Sequence, residues 1–239
     1  MLVVPELEIS VETLDGVVTA AVADRIELCT ALSEGGLTPS IGLVEAAAAA
    51  AGSAEVHVLV RPRPGGFAYS ADELALMRAD VGHAIAAGAT GVVVGALAEG
   101  EIDVVATAGL VEAAGEAPVT FHRAFDQLAT PLAALDVLAG LGVARVLTSG
   151  GPDAIDVVAV AALVEHSRAT AGPTIMACGG IRPQNVGSVL ERTGVPAVHA
   201  APRTPVGTAS GYPGAGVPAG RDRFATDAEA VAALRALTR

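Results

Sequence analysis

The sequence contains few cysteines and few aromatic residues. Its 239 residues include two cysteines, no tryptophan and 3% aromatic residues. Cys29 and Cys178 do not make the disulfide framework of a small secreted protein, so we expect a reducing, cytoplasmic location. Hydrophobic residues nevertheless make up 52% of the chain. Alanine, valine, leucine and isoleucine must therefore fill the core, which suits parallel strands covered by helices.

Positive charge is also scarce, because 14 lysines and arginines stand against 26 acidic residues, for a formal net charge of −12. Such a chain repels nucleic-acid phosphates and anionic lipid headgroups, so neither nucleic acid nor a membrane is expected as a partner. No uncharged apolar run reaches membrane-spanning length, since Glu45 interrupts the richest one, residues 43–51. The N-terminus lacks the features of a signal peptide.

Segments with strand and helix patterns alternate along the chain. The predicted strands are Leu7–Val11, Arg25–Cys29, Val56–Arg61, Gly91–Gly95, Pro118–His122, Arg145–Thr148, Pro173–Cys178 and Ala197–Ala200. The predicted helices are Leu14–Val22, Ile41–Ala51, Ala71–Ala87, Val104–Ala114, Leu132–Leu141, Ala154–Ala171, Pro183–Thr193 and Asp227–Leu237. A repeat of roughly 25–30 residues predicts β-α units and a parallel sheet. Eight such units favour an α/β fold, a (β/α)₈ TIM barrel forming a single domain over residues 1–239, with an open doubly wound sheet as the alternative.

Boundary residues agree with this division. Five glycines follow a helix and precede a strand, as C-caps do: Gly88, Gly115, Gly142, Gly172 and Gly194. Asp103 and Asp153 precede helices, as N-caps do. Residues 203–223 are rich in glycine and proline and follow the last strand. We expect this loop to be either a partly mobile lid over the barrel mouth or disordered.

The candidate functional residues lie where the strands end, because barrels carry function at that face. Alternation on separate strands directs five polar side chains inward: Glu8, Glu27, Arg61, His122 and His199. Glutamate and histidine can transfer protons near neutral pH. Any one of these residues alone could instead be structural, as a strand-end ion pair or a satisfied histidine.

A set of arginines and strand-end turns suits anion binding. Guanidinium groups clamp carboxylates or phosphates, and glycine turns let backbone N–H groups approach an anion. The candidate anion-binding residues are Arg61, Arg63, Ser149, Gly150, Gly179 and Gly180. Glycine at a strand-to-helix turn also has a purely geometrical explanation.

A metal site is a separate possibility, although CxxC, HxH and HExxH motifs are absent from the sequence. Thiolates select copper(I) or zinc. Cys29 and Cys178 lie three strands apart around the ring, roughly 10 Å or more at the backbone. A site with Cys29 as its one thiol and with histidine partners is therefore easier to build.

The sequence resembles the CutC family of copper homeostasis proteins. The resemblance rests on residues 23–29 with 33–40, on Arg61–Arg63 with 65–67 and 69–70, on residues 120–126, on 145–150 and on 175–177. It implies a TIM barrel, a cytoplasmic location, copper binding and homo-oligomers, often dimers. It also implies that Glu27, Arg61, His122 and Asp126 belong to a mouth shared by the family.

The chain departs from the family at two thiol positions. Ser10 stands where the family commonly carries cysteine, and Cys178 stands where glycine is usual. The first departure weakens the case for copper(I), and the second means that Cys178 is not an inherited ligand. Cys29 is the one thiol that the resemblance carries over as a metal ligand.

Two functional hypotheses remain at this stage. The first is copper handling, with Cys29 and a nearby histidine or carboxylate as ligands. The second is a metal-independent lyase or isomerase acting on a small anionic metabolite. In that hypothesis Glu27 and His122 exchange protons, while Arg61 and the glycine turns hold the anion. The resemblance favours copper handling, with a copper ion or a small anion as ligand and no other cofactor.

Overall fold

Eight parallel strands close into a barrel in the computed structural model, which describes residues 4–206 and 223–239. The strands are β1 (Glu6–Val11), β2 (Arg25–Leu28), β3 (Glu55–Leu59), β4 (Gly91–Val94), β5 (Val119–Phe121), β6 (Arg145–Thr148), β7 (Thr174–Ala177) and β8 (Ala197–Ala200). Each strand pairs with its neighbours in the sequence, and β8 closes the ring against β1. The predicted α/β barrel is confirmed, and the doubly wound alternative is wrong.

Eight helices surround the ring within residues 4–206 and 223–239. They are α1 (Leu14–Ala20), α2 (Ile41–Ala50), α3 (Ala71–Ala86), α4 (Val104–Ala114), α5 (Pro131–Gly140), α6 (Val157–Thr170), α7 (Val186–Thr193) and α8 (Ala228–Leu237). Short 3₁₀ turns span Leu32–Glu34 and Arg123–Gln127. No helix in the described part of the chain is both long and apolar enough to cross a membrane.

The helix ends confirm most of the predicted caps. Asp103 caps α4 by accepting the Ala106 N–H. The predicted cap Asp153 is wrong, because α6 begins only at Val157 and Asp156 accepts its first free N–H groups. The Arg123 guanidinium donates to the carbonyls of Pro152 and Asp153, which keeps that segment in a loop.

Four of the five predicted C-capping glycines have positive φ angles at or just after a helix end: Gly88, Gly115, Gly142 and Gly194. Gly172 does not, and that prediction is wrong. Ala171 takes the left-handed conformation instead, with a φ of 52°. The Gly172 N–H then donates to the Ser167 carbonyl at 2.8 Å, so the turn closes one residue earlier than predicted.

Strand alternation separates an apolar outer layer from a charged barrel interior. Ile9, Ile26 and Val58 pack between the strands and the helices. Inside the barrel, the buried Arg25 guanidinium contacts Glu8 at 2.7 Å and Glu6 at 3.0 Å. These ion pairs offset the cost of burying charge and fill the amino-terminal part of the barrel below the mouth.

Two short antiparallel strand pairs lie at the carboxyl-terminal face in the described part of the chain. Leu97–Ala98 pairs with Glu101–Ile102 after β4, and Arg203–Val206 pairs with Arg223–Thr226 after β8. The ends of the predicted loop 203–223 therefore form strands rather than irregular loop. Its middle, residues 207–222, where the lid was predicted, lies outside the described residues.

Candidate functional site

Glu8, Glu27 and His199 meet at the mouth of the barrel. They do so because β1 lies between β8 and β2, with Glu8 in register with His199 and Ser10 in register with Glu27. His199 Nδ1 lies 2.7 Å from Glu8 Oε1, and His199 Nε2 lies 3.9 Å from Glu27 Oε2. The Ser10 hydroxyl donates to Glu27 Oε2 at 2.7 Å. Three of the predicted mouth residues thus form one cluster.

The protonation states of this cluster follow from its surroundings. Burial raises the pKa of Glu8, but the hydrogen bond from His199 and the charges of His199 and Arg25 outweigh burial and hold that pKa at about 2. Burial raises the pKa of Glu27, and the Glu8 charge adds to this rise. Burial lowers the pKa of His199, but Glu27 and Glu8 outweigh burial and raise it above its ordinary value.

The geometry fixes the role of each histidine nitrogen. Because Glu8 is ionised, His199 keeps its Nδ1 proton and donates it to Glu8. Nε2 then faces Glu27. A carboxylate that orients an imidazole in this way is the usual outer partner of a metal-binding histidine.

Glu8, Glu27 and His199 also offer a set of metal ligands. Among residues 4–206 and 223–239, this is the one group of at least three histidine, cysteine or acidic residues whose donor atoms all lie within 4.8 Å of one another. Its donors are carboxylate oxygens and an imidazole nitrogen, which suit copper(II), nickel(II) or zinc better than copper(I).

Cys29, the predicted metal ligand, lies outside this group. Its side chain is fully buried and packs with Leu59 and Val93. Its sulfur lies 3.5 Å from the Val11 carbonyl oxygen and 3.7 Å from the Ser10 hydroxyl. Burial raises the pKa of the Cys29 thiol, and the Glu27 charge raises it further, so the thiolate that a metal needs is disfavoured.

Arg61 is placed at the mouth but its donors are directed to the backbone. Its guanidinium donates to the carbonyls of Glu34, Gly36 and Gly65 at 2.9–3.0 Å. It also stacks on the Phe67 ring at 5.2 Å. These bonds join the β2–α2 loop to the β3–α3 loop, so Arg61 holds loops together.

Arg63 is similarly occupied within its own loop. It pairs with Glu73 and donates to the Gly66 and Ala68 carbonyls. It also stacks on the Tyr69 ring at 5.1 Å. The structure therefore does not bring the two arginines predicted to bind an anion together around an open space.

His122 is 5% exposed, and no hydrogen bond among the described residues joins it to Glu27. Its Nδ1 accepts the Ala124 N–H at 3.1 Å, and its ring packs on Phe67 at 4.8 Å. Burial, with the Arg61 charge as a second cause, lowers the pKa of His122 to about 3. A neutral imidazole results, whose Nε2 has no partner among the described residues.

Asp126, Ser149 and Gly150 form a junction between the loops after β5 and β6. The Asp126 carboxylate accepts from the Ser149 hydroxyl and from Arg123 Nε, both at 2.9 Å, and from the Thr148 hydroxyl. At Gly150 φ is +80°, and a Cβ there would come within 2.9 Å of Ala159 Cβ. The polar groups of this junction are largely used in joining the loops.

An open cavity of about 590 Å³ lies beside β7 and β8 at the mouth. Its lining includes three arginines and a histidine together with the predicted turn glycines: Arg123, Arg182, Arg203, His199, Gly179 and Gly180. Sequence reasoning missed Arg182 and Arg203. A signal was present for Arg182, which follows the Gly179–Gly180 turn by two residues.

Comparison with known proteins identifies the family. The family model described as the CutC family matches residues 5–204. A protein named CutC from Mesorhizobium japonicum is 44% identical over 82% of this chain and 76% of its own. A human protein named copper homeostasis protein cutC homolog is 40% identical over 83% of this chain and 73% of its own. A solved CutC structure from Streptococcus agalactiae is 31% identical, covers 82% of this chain and 97% of that one, and superposes with a TM-score of 0.77. This chain belongs to the CutC family.

Proposed function

We propose that this protein handles copper and that it binds copper(II) through His199 Nε2 and Glu27, with Glu8 orienting the imidazole. The observation that carries the proposal is the separation of 3.9 Å between His199 Nε2 and Glu27 Oε2. Ligand atoms each about 2 Å from one ion stand at such a separation. The names of the human and streptococcal relatives supply the link to copper.

The oxidation state follows from the ligands. Oxygen and imidazole donors suit copper(II), whereas copper(I) selects thiolates and thioethers. Cys29 is fully buried and its pKa is raised, and Ser10 replaces the cysteine common in the family at that position. The residues around the mouth therefore support copper(II) over a copper(I) site at Cys29.

The proposal includes a cytoplasmic location, self-association and a single domain. Two free cysteines fit the reducing cytoplasm. The family resemblance supports a homodimer or a higher homo-oligomer, which light scattering on the purified protein measures. The closed ring of strands from Glu6 to Ala200 supports a single domain over residues 1–239.

The experiment is a copper(II) titration of metal-free protein against a competing chelator. Glu27→Gln keeps the acceptor for Ser10 but removes the charge, and we expect it to lower copper(II) affinity by about tenfold or more. The matched control is Glu45→Gln, since Glu45 is exposed on α2. Unchanged affinity in Glu27→Gln, or an equal loss in Glu45→Gln, contradicts the proposal. In electron paramagnetic resonance, the bound ion should show coupling to a single imidazole nitrogen.

A further inference from the structure

We propose that the cavity beside β7 and β8 binds a small phosphorylated molecule, whether or not copper is bound. This cavity, the phosphate cavity, is bounded by the Gly179–Gly180 turn, by Arg182 and Arg203, and by His199 at its inner wall. It measures about 590 Å³, within the range of small-molecule sites.

Positive charge is concentrated here in a protein whose formal net charge is −12. Arg123, Arg182 and Arg203 all line the phosphate cavity. The exposed Arg182 guanidinium has no hydrogen bond or ion pair within residues 4–206 and 223–239. Arg203 stacks on the Phe224 ring at 4.8 Å, and its guanidinium has no hydrogen bond or ion pair to any other described residue. A local patch of this sign attracts anions despite the overall charge.

The acidic side chains of the phosphate cavity do not pair with Arg182 or Arg203 in the described part of the chain. Arg123 is paired with Asp126, so we count it as neutralised. Asp227 uses its carboxylate to accept the Ala230 N–H at 3.0 Å at the start of α8. Glu229 is exposed in the first turn of α8. Arg182 and Arg203 therefore remain available to an anion.

The Gly179–Gly180 turn adds backbone donors to the guanidinium groups. Its two residues have φ angles of +87° and +91°. Their N–H groups donate to no acceptor in the described part of the chain. A Cβ at Gly180 would meet no atom within 4 Å, so this edge of the turn is open. Successive free amide groups in a turn form a concavity that binds anions.

The arrangement favours a phosphate group over a carboxylate. Hydrogen-bond donors approach the cavity from two directions, from the turn after β7 and from the Arg203 guanidinium after β8. A ligand that satisfies both needs acceptor oxygens on several sides. A phosphomonoester has three strong acceptor oxygens, whereas a carboxylate has two in one plane. The remainder of the molecule would lie against His199 at the inner wall.

The test is isothermal titration calorimetry on metal-free protein at low ionic strength. The probes are inorganic phosphate, glycerol 3-phosphate and glycerol. We expect saturable binding of both phosphate probes and none of glycerol. Tighter binding of glycerol 3-phosphate than of inorganic phosphate identifies a phosphorylated metabolite as the ligand class. Absence of saturable binding by either phosphate probe, or tighter binding of free phosphate, overturns the proposal.

Variants locate the binding. Arg182→Gln and Arg203→Gln should each weaken glycerol 3-phosphate binding by about tenfold, because each removes a charged hydrogen-bond donor. The control is Arg192→Gln, since Arg192 is exposed in the last turn of α7, away from the mouth. Equal weakening by Arg192→Gln shows nonspecific charge attraction and overturns the proposal. Because no copper is present, these results are independent of the copper titration.

Discussion

The barrel mouth has two halves that use the same residue types differently. In the half formed by β3 to β5, the closed half, Arg61 donates to three backbone carbonyls and His122 accepts a backbone N–H. In the half formed by β6 to β8, β1 and β2, the open half, His199 pairs with Glu8 and Glu27, and Arg182 has no partner in the described part of the chain. The difference shows that the partners of a strand-end charge, rather than its position, decide between structural support and ligand binding.

The largest expected effect is on stability in the closed half. Arg61→Met leaves three loop carbonyls without their donor, and Arg61 is only 7% exposed. We expect the free energy of unfolding to fall by about 3 kcal/mol, measured by urea denaturation. Arg63→Met, at a more exposed site, should cost less than Arg61→Met. If Arg61→Met keeps its stability but loses copper or phosphate binding, the closed half takes part in function.

The next effect is a pH dependence caused by His122. Its pKa is 6.5 in a model peptide but about 3 in the folded protein, so the unfolded chain binds the proton more readily. The free energy of unfolding should therefore fall as pH drops from 6.5 towards 3, with His122 contributing about 2 kcal/mol of that loss between pH 7 and pH 5.

The variant that isolates this contribution is His122→Asn, because asparagine can still accept the Ala124 N–H. Urea denaturation at pH 7 and pH 5 should show a smaller stability difference in the variant than in the wild type. If the variant loses as much stability between pH 7 and pH 5 as the wild type does, the His122 imidazole is not held neutral by burial in the folded protein. That result would contradict the description of the closed half.

The smallest expected effect is at Cys29, which lies between the two halves. Cys29→Ser keeps a donor near the Val11 carbonyl, so we expect a loss of about 1 kcal/mol or less in the free energy of unfolding. Copper(II) affinity should match the wild type. A tenfold loss of copper affinity in this variant would show that the Cys29 sulfur binds copper, as the family resemblance implies.

Much of the fold could be predicted from local sequence. Each barrel strand carries either an alternation or a short apolar run, and Gly115, Gly194 and Asp103 end or begin helices through their own backbone and side-chain preferences. Asp153 and Gly172 were predicted by the same logic and were wrong. The α6 boundaries depend on Arg123 and on a bond between Gly172 and Ser167, which no local pattern reveals.

The candidate site was predicted only in part. Alternation placed Glu8, Glu27 and His199 on inward faces, and adjacency of β8, β1 and β2 in a closed ring then brought them together. The same alternation placed Arg61 and His122 at the mouth, but their partners are loop carbonyls and amides from distant segments. Alternation of polar and apolar residues indicates which face of the sheet a side chain lies on. It does not indicate which loop carbonyl or amide groups will form hydrogen bonds with that side chain.

The most direct measurement compares two histidines from the two halves. Copper(II) affinity should be measured by chelator competition on metal-free wild type, His199→Asn and His122→Asn. We expect His199→Asn to lower the affinity by about tenfold or more and His122→Asn to leave it within about twofold. Loss of copper(II) binding in His122→Asn with wild-type affinity in His199→Asn would contradict this expectation.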